Sequence, residues 1–264
     1  IIKLSEERTK PFCEHYDACG GCKWQHLPYH LQLKYKQQQV KDQLERIGKL
    51  EIPQVLPIIG SAKSEFYRNK LEFTFSPSRW LAHEEIEMES ELDRRALGFH
   101  VAGRYNRVVD VNKCYLQGDP SNAIRNFVRD FSKQNDFNFY DSEIHQGFMR
   151  NLIVRNSNLG ELMVIVQFGR NEPENIKTML EAIDSEFPDI TSLNYVINTK
   201  KNDTFYDLEI INWKGRAFIF ERLGNLRYKI SPKSFFQTNS AQAENLYEKT
   251  KEFAALEGNE IVYD

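Results

Sequence analysis

Three of the four cysteines of this chain lie within ten positions, in the stretch CEHYDACGGCKWQH at residues 13–26. Cys19 and Cys22 form a Cys-x-x-Cys pair, which lets two thiolates reach one metal from a tight turn. The two residues between them are glycines, which permit the backbone angles that aim successive thiolates inward. Cys13 lies one loop upstream, and Cys114 is the only cysteine left to complete a set of four. The spacing therefore predicts one inorganic centre shared by four side chains.

The spacing leaves the nature of that centre open. Structural zinc often uses two Cys-x-x-Cys pairs, whereas this chain has one pair, one thiol before it and one distant thiol. Iron–sulfur clusters accept such a three-plus-one arrangement, so a [4Fe–4S] cluster is favoured over zinc. A disulfide is disfavoured because cytosolic thiols stay reduced. His15 and His26 are further zinc candidates, but histidines beside a complete four-cysteine set are more often hydrogen-bonded neighbours.

Length and hydropathy narrow the class of protein. The chain has 264 residues, 41% of them hydrophobic, and a formal net charge of -3. It can bury a full core, in one large or two modest domains. No apolar run approaches the ~18 residues of a membrane span, and the N-terminus lacks a signal peptide. We expect a cytoplasmic monomer with no membrane partner, and part of a longer protein, because the chain closes on an apolar run.

One segment combines cations with aromatic side chains. Residues 214–233 contain six Lys and Arg residues against one Glu, with Phe218, Phe220 and Tyr228 interleaved. Such a pattern suits a phosphate backbone and stacked bases. A solvated pair of strands with a few inward aromatic side chains explains the pattern equally well.

Periodicity predicts the main helices and strands. Apolar residues at helical spacing predict a helix within 27–50, with Pro28 near its start and Gly48 at its end. Alternation in FYRNKLEFTFS, residues 66–76, predicts a half-exposed strand. Other predicted elements are strands at 97–101, 107–111, 150–156, 161–168 and 192–199, a hairpin turn at 157–160 and a helix at 172–187. Because these segments follow one another mainly in sequence order, they predict an α+β fold with an antiparallel sheet.

The end of the chain changes character. Residues 240–256 predict a helix that is capped by Asn239 or Ser240 and stopped by Gly258. This helix leads into an apolar, strand-like run at 260–264 that ends in an aspartate. A helix that feeds such a strand is typical of the start of a doubly wound nucleotide-binding domain.

Four motifs in a fixed order carry a resemblance to a known family. They are C-x5-C-G-G-C at 13–22, YRNKLEFTFS at 67–76, VVDVNKC at 108–114, and ISPKSFFQTN at 230–239 followed by a helix and IVYD. Together they resemble the uracil-5 RNA methyltransferase family. The cysteines are similar to those of its iron–sulfur branch, which methylates 23S ribosomal RNA, whereas the tRNA-methylating branch generally lacks them.

The resemblance implies a domain organisation. An α+β central domain, with an antiparallel sheet and a [4Fe–4S] cluster on Cys13, Cys19, Cys22 and Cys114, would comprise residues 1–24 and 57–230. Residues 25–56 and 231–264 would be the first elements of a Rossmann-like, S-adenosylmethionine-dependent methyltransferase domain. The helix within 25–56 would therefore pack with the methyltransferase domain despite its early place in the chain.

The resemblance also implies a chemistry. In this family a cysteine thiolate adds to uracil C6, and C5 takes the methyl group of S-adenosylmethionine. A base then removes the C5 proton, and the thiolate leaves C6 as the C5–C6 double bond re-forms. Gln237 would contact S-adenosylmethionine, Phe235 would stack on the flipped base, and Arg68 and Lys70 are candidate RNA contacts. The four cysteines all match cluster ligands, so the nucleophile and the base Glu are expected beyond Asp264. The residues at hand are expected to be inactive alone.

The sequence is also compatible with two other functions. A zinc-stapled RNA-binding module without catalysis explains the cysteines and the cations. The hypothesis of an electron-transfer protein accounts for the cysteines. It is disfavoured because such a carrier would not need the SPKSFFQTN segment. In the favoured interpretation the cluster is structural, because four cysteine ligands leave no open iron site for a substrate.

Overall fold

A computed structural model describes residues 3–87 and 92–263. Residues 1, 2, 88–91 and 264, which belong to the predicted domain ranges, lie outside the described residues. The helices are α1 (Tyr29–Asp42, continued by a π-helical turn at Gln43–Ile47), α2 (His83–Ile86), α3 (Ser121–Gln134), α4 (Pro173–Glu186) and α5 (Ser240–Ala254). The strands are β1 (Lys70–Ser76), β2 (Ala96–His100), β3 (Val108–Asp110), β4 (Met149–Asn156), β5 (Leu162–Phe168), β6 (Ser192–Ile197), β7 (Ile211–Gly215), β8 (Ile219–Leu223) and β9 (Leu226–Ile230).

Strands β1 to β7 form one sheet, in the order β3-β2-β1-β4-β5-β6-β7. Neighbouring strands are antiparallel except β5 and β6, which run parallel and are connected through α4. The expectation of an antiparallel sheet is therefore wrong at this pair, because a helical crossover returns the chain to the same end of the sheet. The fold is a mixed α/β arrangement around a central sheet.

Alternation along the strands separates the two faces of the sheet. Phe73 and Phe75 of β1 and Leu152 and Val154 of β4 belong to the larger core. Helices α3 and α4 cover this face with their apolar stripes, which include the fully buried Ile124. We call it the helix face. Successive strand side chains point to opposite faces, so Lys70, Glu72 and Thr74 lie on the other side, which we call the open face.

The hairpin β8–β9 covers one part of the open face. Ile219 and Ile230 of the hairpin pack with Ile153, Met163 and Ile165 of the central strands in a second, smaller core. The segment that follows β9, residues 231–239, continues from this core across the sheet toward the start of β1. The hairpin thereby positions the SPKSFFQTN motif.

The elements at the two ends of the chain differ in part from their prediction. The first helix begins after Pro28 and its π-helical continuation ends at Gly48, as predicted. Helix α5 is capped by Asn239, whose side chain accepts a hydrogen bond from Gln242 N at 3.1 Å. It ends at Ala254 rather than at Gly258, with Ala255 in the left-handed conformation.

The predicted strand at 260–264 is not formed by its described residues. Residues 260–263 carry no strand assignment, and Ile261, Val262 and Tyr263 are exposed. A strand needs a neighbour for its backbone hydrogen bonds, and the described residues place none beside this run. In the described part of the chain, no helix is both long enough and apolar enough to cross a membrane.

Candidate functional site

All four cysteines line one small cavity, which we call the cysteine cavity. Cys13, Cys19 and Cys22 reach it from the N-terminal loop, and Cys114 reaches it from the segment after β3. The loop is held against the sheet by a bridge between Cys19 and Val101 and by a hydrogen bond from Gly20 N to His100 O at 2.9 Å. The distant Cys114 therefore lines the same cavity as the other three cysteines.

Cys114 is fixed by a polar network on α3. Its N–H donates to Asn122 Oδ1 at 2.8 Å, and Asn122 Nδ2 donates back to Cys114 O at 3.1 Å. Arg125, one turn further along α3, donates to the same Asn122 Oδ1 at 2.9 Å and to Asn112 O. These bonds hold Cys114 rigidly at the wall of the cavity.

Arg125 places a positive charge next to the cysteine cavity. The side chain is fully buried, it forms no ion pair with a carboxylate of the described residues, and its Nε has no hydrogen-bond partner among them. Burial lowers the pKa of Arg125 to about 10, while nearby Cys114 acts in the opposite direction. Asp110 and Asp119 also act to raise this pKa. A buried cation is costly unless negative charge lies nearby, so these carboxylates and the cavity thiols together decide how well the charge of Arg125 is balanced.

Burial favours the neutral form of three of the thiols. Burial raises the pKa of Cys19 to about 11, and it raises the pKa values of Cys13 and Cys114 above the ordinary value of 9.0. Within residues 3–87 and 92–263, no three His, Cys, Asp or Glu side chains form a group that could hold a metal ion. The four cysteines thus share a cavity without forming a group of that kind.

A large open cleft adjoins the cysteine cavity and shares Gly21, Cys22 and Tyr115 with it. This main cleft has a volume of about 760 Å³ and lies between the cysteine loop, α1, residues 58–68 and the start of α5. One carboxylate, Glu65, lines it, together with five cations: Lys10, Lys23, Lys36, Lys63 and Arg68. It also contains the aromatic side chains of Phe12, Trp24, Tyr29, Tyr67 and Tyr115. The main cleft is cationic and aromatic, as a single-stranded nucleic acid requires.

The segment 231–239 is fastened to the strand next to the main cleft. Asn69, directly before β1, donates from Nδ2 to Gln237 O at 2.9 Å and to Ser240 Oγ at 2.8 Å. Its backbone N–H donates to Thr238 O at 2.8 Å. Arg155 of β4 donates to Ser234 O at 2.8 Å. Four hydrogen bonds therefore bring the SPKSFFQTN motif beside Arg68 and Lys70.

The predicted site residues lie in one region but not in one pocket. Arg68 lines the main cleft, whereas Phe235 and Gln237 project from segment 231–239, with Phe235 81% exposed. Lys70 lies at the start of β1, 3.7 Å from Glu72. Burial, together with the charge of Arg155, lowers the pKa of Lys70. Lys70 is therefore partly engaged within the protein, and Arg68 is the more accessible cation.

Two other arginines of the sheet are structural. Arg150 is 1% exposed and donates to the carbonyl oxygens of Asn198, Lys200 and Asn202. Arg155 is 5% exposed and holds segment 231–239 as described above. Both guanidinium groups are used inside the protein and are not free for a phosphate.

The cations of the basic and aromatic segment 214–233 mainly contact other side chains of the protein. Arg227 stacks over Phe220 at 3.7 Å, and Lys229 lies over Phe218 at 4.2 Å. Glu161 pairs with Arg216 at 2.7 Å and with Arg227 at 3.7 Å, and it accepts from Phe220 N at 2.6 Å. The hairpin β8–β9 in this segment is a largely solvated strand pair, with cations lying over the partly buried rings of Phe218 and Phe220.

Several residues of the site were missed by the sequence reasoning. Arg125 falls on the apolar stripe of α3 together with Ile124 and Val128. A cation on an apolar stripe is the one sequence feature that indicates a special role for this residue. Asn69 lies in the YRNKLEFTFS motif. The alternation of apolar and polar residues there predicts a strand but says nothing about the role of an amide side chain. The cations of the main cleft come from the cysteine loop, α1 and the linker at residues 58–68. Because these segments are far apart in the sequence, no sequence pattern predicts that the cations share one cleft.

Comparisons with known proteins identify relatives of this chain. No family model matches it. A protein of Bacteroides thetaiotaomicron is 52% identical over 266 residues, which are 99% of this chain and 59% of that protein. Relatives from Porphyromonas gingivalis and Chlorobaculum tepidum are 48% and 36% identical, with 58% and 56% of their lengths covered. All three are named uncharacterized RNA methyltransferases.

The fold also matches a solved structure. The crystal structure of Pyrococcus abyssi tRNA (uracil-54, C5)-methyltransferase in complex with S-adenosyl-L-homocysteine aligns with a TM-score of 0.66 and 28% identity. The match covers 95% of this chain and 52% of the solved one. The chain is therefore similar along its whole length to proteins named RNA methyltransferases, and it spans between half and three fifths of their length.

Proposed function

We propose that this chain takes part in the S-adenosylmethionine-dependent methylation of uridine at position 5 in 23S ribosomal RNA, as a cytoplasmic monomer. The observation that carries the proposal is the main cleft, where five cations and several aromatic side chains lie beside the fastened SPKSFFQTN segment. Cations bind the backbone phosphates, and aromatic rings stack on unpaired bases. The similarity to proteins named RNA methyltransferases supports the same function.

We assign two roles to the ranges of the chain. Residues 1–24 and 57–230 form the central domain that binds RNA, and residues 25–56 and 231–264 are the first elements of the methyltransferase domain. Exposed apolar side chains on the second group support this division, among them Ile47 after α1 and Leu246 and Phe253 on α5. Gln37 of α1 and Gln242 of α5 both form hydrogen bonds with the backbone of residues 56–59. This short stretch therefore bridges the two helices in space.

The site residues act by binding and orientation. Gln237 holds S-adenosylmethionine, and its amide can bridge the cofactor and the pyrimidine because it offers both a donor and an acceptor. Phe235 stacks on the flipped uracil and offsets part of the cost of unstacking it. Arg68 and Lys70 bind phosphate. The cysteines of this chain are occupied as ligands, so the nucleophile that adds to C6 and the base that removes the C5 proton come from outside these residues.

The four cysteines are proposed to hold a [4Fe–4S] cluster. The donor set consists of thiols only, which suits iron–sulfur chemistry, and the unpaired charge of Arg125 would balance the negative charge of ionised thiolates. A cluster of eight atoms holds its thiolates farther apart than one zinc ion does. That difference is compatible with cysteines that share a cavity but lack single-ion grouping. The cluster would tie the N-terminal loop to Cys114 and shape the wall of the main cleft.

A second substrate has a specific observation in its favour. The solved structure that matches this fold is named for uracil-54 of tRNA. Transfer RNA and ribosomal RNA offer the same uracil chemistry, so the cleft alone does not separate them. The test below therefore includes both RNAs.

The decisive experiment follows methyl transfer with the full-length protein that contains this chain. Labelled S-adenosylmethionine is incubated with 23S ribosomal RNA or with total tRNA, both prepared from cells that lack the gene. We expect methyl incorporation at uridine C5 in ribosomal RNA and its loss in Gln237→Ala, while the matched control Gln134→Ala on α3 keeps full activity. Methylation of tRNA alone would contradict the ribosomal assignment, and incorporation into neither RNA would contradict the function.

A further inference from the structure

A third cavity lies on the open face of the sheet, away from the cysteine cavity and the main cleft. This polar pocket has a volume of about 240 Å³ and is built on β1, β2 and β4, with no lining residue in common with the main cleft. Thr74 and Asn151 form its floor, and His100 of β2 forms one wall. It is smaller than the ~300–1,000 Å³ of pockets that take drug-sized ligands, so it suits a single ring system.

The floor of the polar pocket contains an unsatisfied buried amide. Asn151 is 2% exposed, and its Oδ1 has no hydrogen-bond partner within the described residues. Its Nδ2 makes only a long contact of 3.5 Å with Thr74 Oγ1. The buried Nδ1 of His100 is equally without a partner there. Both atoms are closed to solvent as the side chains stand. Since buried polar groups are nearly always paired, a ligand that turns these side chains toward the pocket would supply their missing hydrogen bonds.

Aromatic rings and cations surround this floor. Tyr140 is 6% exposed, with the guanidinium of Arg150 at 4.1 Å from its ring, and Arg150 is paired with Asp203 at 3.0 Å. Tyr105 stands at the mouth and is 70% exposed. Lys201 also lines the pocket and has no ion-pair partner in the described part of the chain. Flat aromatic walls, an amide at the base and a free cation at the rim match the chemistry of a nucleotide.

We propose that the polar pocket binds one unstacked base of the RNA substrate, separate from the uridine that is methylated. This inference rests on the proposed function, and it deepens that function by adding a second base-binding site. Lys70 and Thr74 lie on the same face of β1, four residues or ~14 Å apart. An RNA strand that follows β1 from Lys70 therefore reaches the pocket within a few nucleotides. Tyr105 stacks on the base, and Asn151 accepts a hydrogen bond from its edge.

The test compares RNA binding by Tyr105 variants of the full-length protein. Tyr105 is exposed, so its replacement leaves the core intact. Tyr105→Ala is expected to weaken binding of 23S ribosomal RNA by roughly 5- to 150-fold, the effect of losing one base stack, while Tyr105→Phe keeps wild-type affinity. In parallel, AMP, GMP, CMP and UMP are titrated separately into the protein, and NMR signals of Asn151, His100 and Tyr105 are expected to shift for at least one of them.

The outcomes separate this inference from the proposed function. If the protein methylates RNA while Tyr105→Ala binds as tightly as wild type, the base-binding pocket is wrong and the function stands. If a mononucleotide binds in the pocket but RNA affinity does not depend on Tyr105, the pocket serves a free nucleotide and the inference is also overturned. If wild-type protein binds no RNA, both proposals fail.

Discussion

At the scale of single residues, Arg125 shows how the cysteine cavity depends on its surroundings. Its guanidinium is fully buried and bonds to Asn122 and Asn112, the residues that also position the segment around Cys114. A buried arginine without a carboxylate partner is rare because its desolvation is costly. The nearby thiols, once ionised by a bound centre, would add negative charge to that of Asp110 and Asp119.

Arg68 provides the most direct residue test of RNA binding. It lines the main cleft and forms no ion pair among the described residues. Arg68→Ala is expected to weaken RNA binding and to lower the slope of log affinity against log salt by about 1, because one phosphate contact is lost. Affinity is measured by filter binding across a salt series. Lys177→Ala on α4, beyond the opposite face, is the matched control, and an unchanged slope in Arg68→Ala would contradict the assignment.

Glu161 tests whether segment 214–233 is structural. Burial alone would raise its pKa, but hydrogen bonds from Arg216 and from Phe220 N lower it below the ordinary value of 4.5. The ionised form is therefore favoured by folding, so its contribution to stability is present above about pH 4.5 and is lost as the pH falls through the folded pKa. Glu161→Gln is expected to cost about 1–3 kcal/mol of unfolding free energy at about pH 7.

Urea unfolding at several pH values measures this effect. The difference between Glu161→Gln and wild type is expected to shrink as the pH approaches the folded pKa from above. Glu181→Gln, an exposed partner of Lys177 on α4, is the control and is expected to cost less than about 0.5 kcal/mol. A small or pH-independent cost for Glu161→Gln would show that its ion pairs are not structural.

Individual residues differed in how far the sequence could predict their role. The convergence of Cys114 with the other cysteines was predictable because thiols are few and their ligand chemistry is restrictive. The internal use of Arg150 and Arg155 was not predictable, because their partners are carbonyl oxygens of loops some 50 to 80 positions away. Every residue has a backbone carbonyl oxygen, so the sequence does not show which of them a buried arginine will bind.

At the scale of elements, hydrogen bonds from Asn69 and Arg155 help to hold segment 231–239, beside the packing of Phe236 on the smaller core. Asn69→Ala would remove two side-chain bonds, to Gln237 O and Ser240 Oγ, and leave only the backbone bond to Thr238 O. We expect faster hydrogen exchange in residues 231–242, with β4 and β5 unchanged, because local opening becomes less costly. Mass spectrometry of exchanged peptides gives the measurement.

The control for this variant is Asn135→Ala, which removes an amide bond to Phe131 O at the end of α3. It is expected to leave exchange in residues 231–242 unchanged. If Asn69→Ala gives the same result as this control, the segment is held by other contacts, and the role of Asn69 in positioning Gln237 is wrong.

The elements themselves were largely predictable where periodicity was strong. Strands β1, β4 and β5 and helices α1 and α4 follow their apolar patterns, and Gly160 with its positive φ of 76° closes the turn between β4 and β5. The parallel pairing of β5 with β6 was not predictable from the order of segments. Strand direction depends on which side of the sheet a crossover helix covers, and single-strand patterns do not encode that choice.

At the scale of the whole molecule, the central sheet separates stability from function. Its helix face holds the larger apolar core. Its open face carries the polar pocket, the start of β1 and the fastened segment 231–239. The cysteine loop closes the main cleft from the other side and shares a wall with it.

The content of the cysteine cavity tests the account most directly. The protein is purified without oxygen, and its iron, acid-labile sulfide and zinc are measured in wild type and in Cys114→Ser. We predict four irons and four sulfides per chain with broad visible absorption, and loss of both the cluster and RNA affinity in Cys114→Ser. A colourless protein with one zinc per chain, or a Cys114→Ser variant with unchanged iron and RNA affinity, would contradict the account.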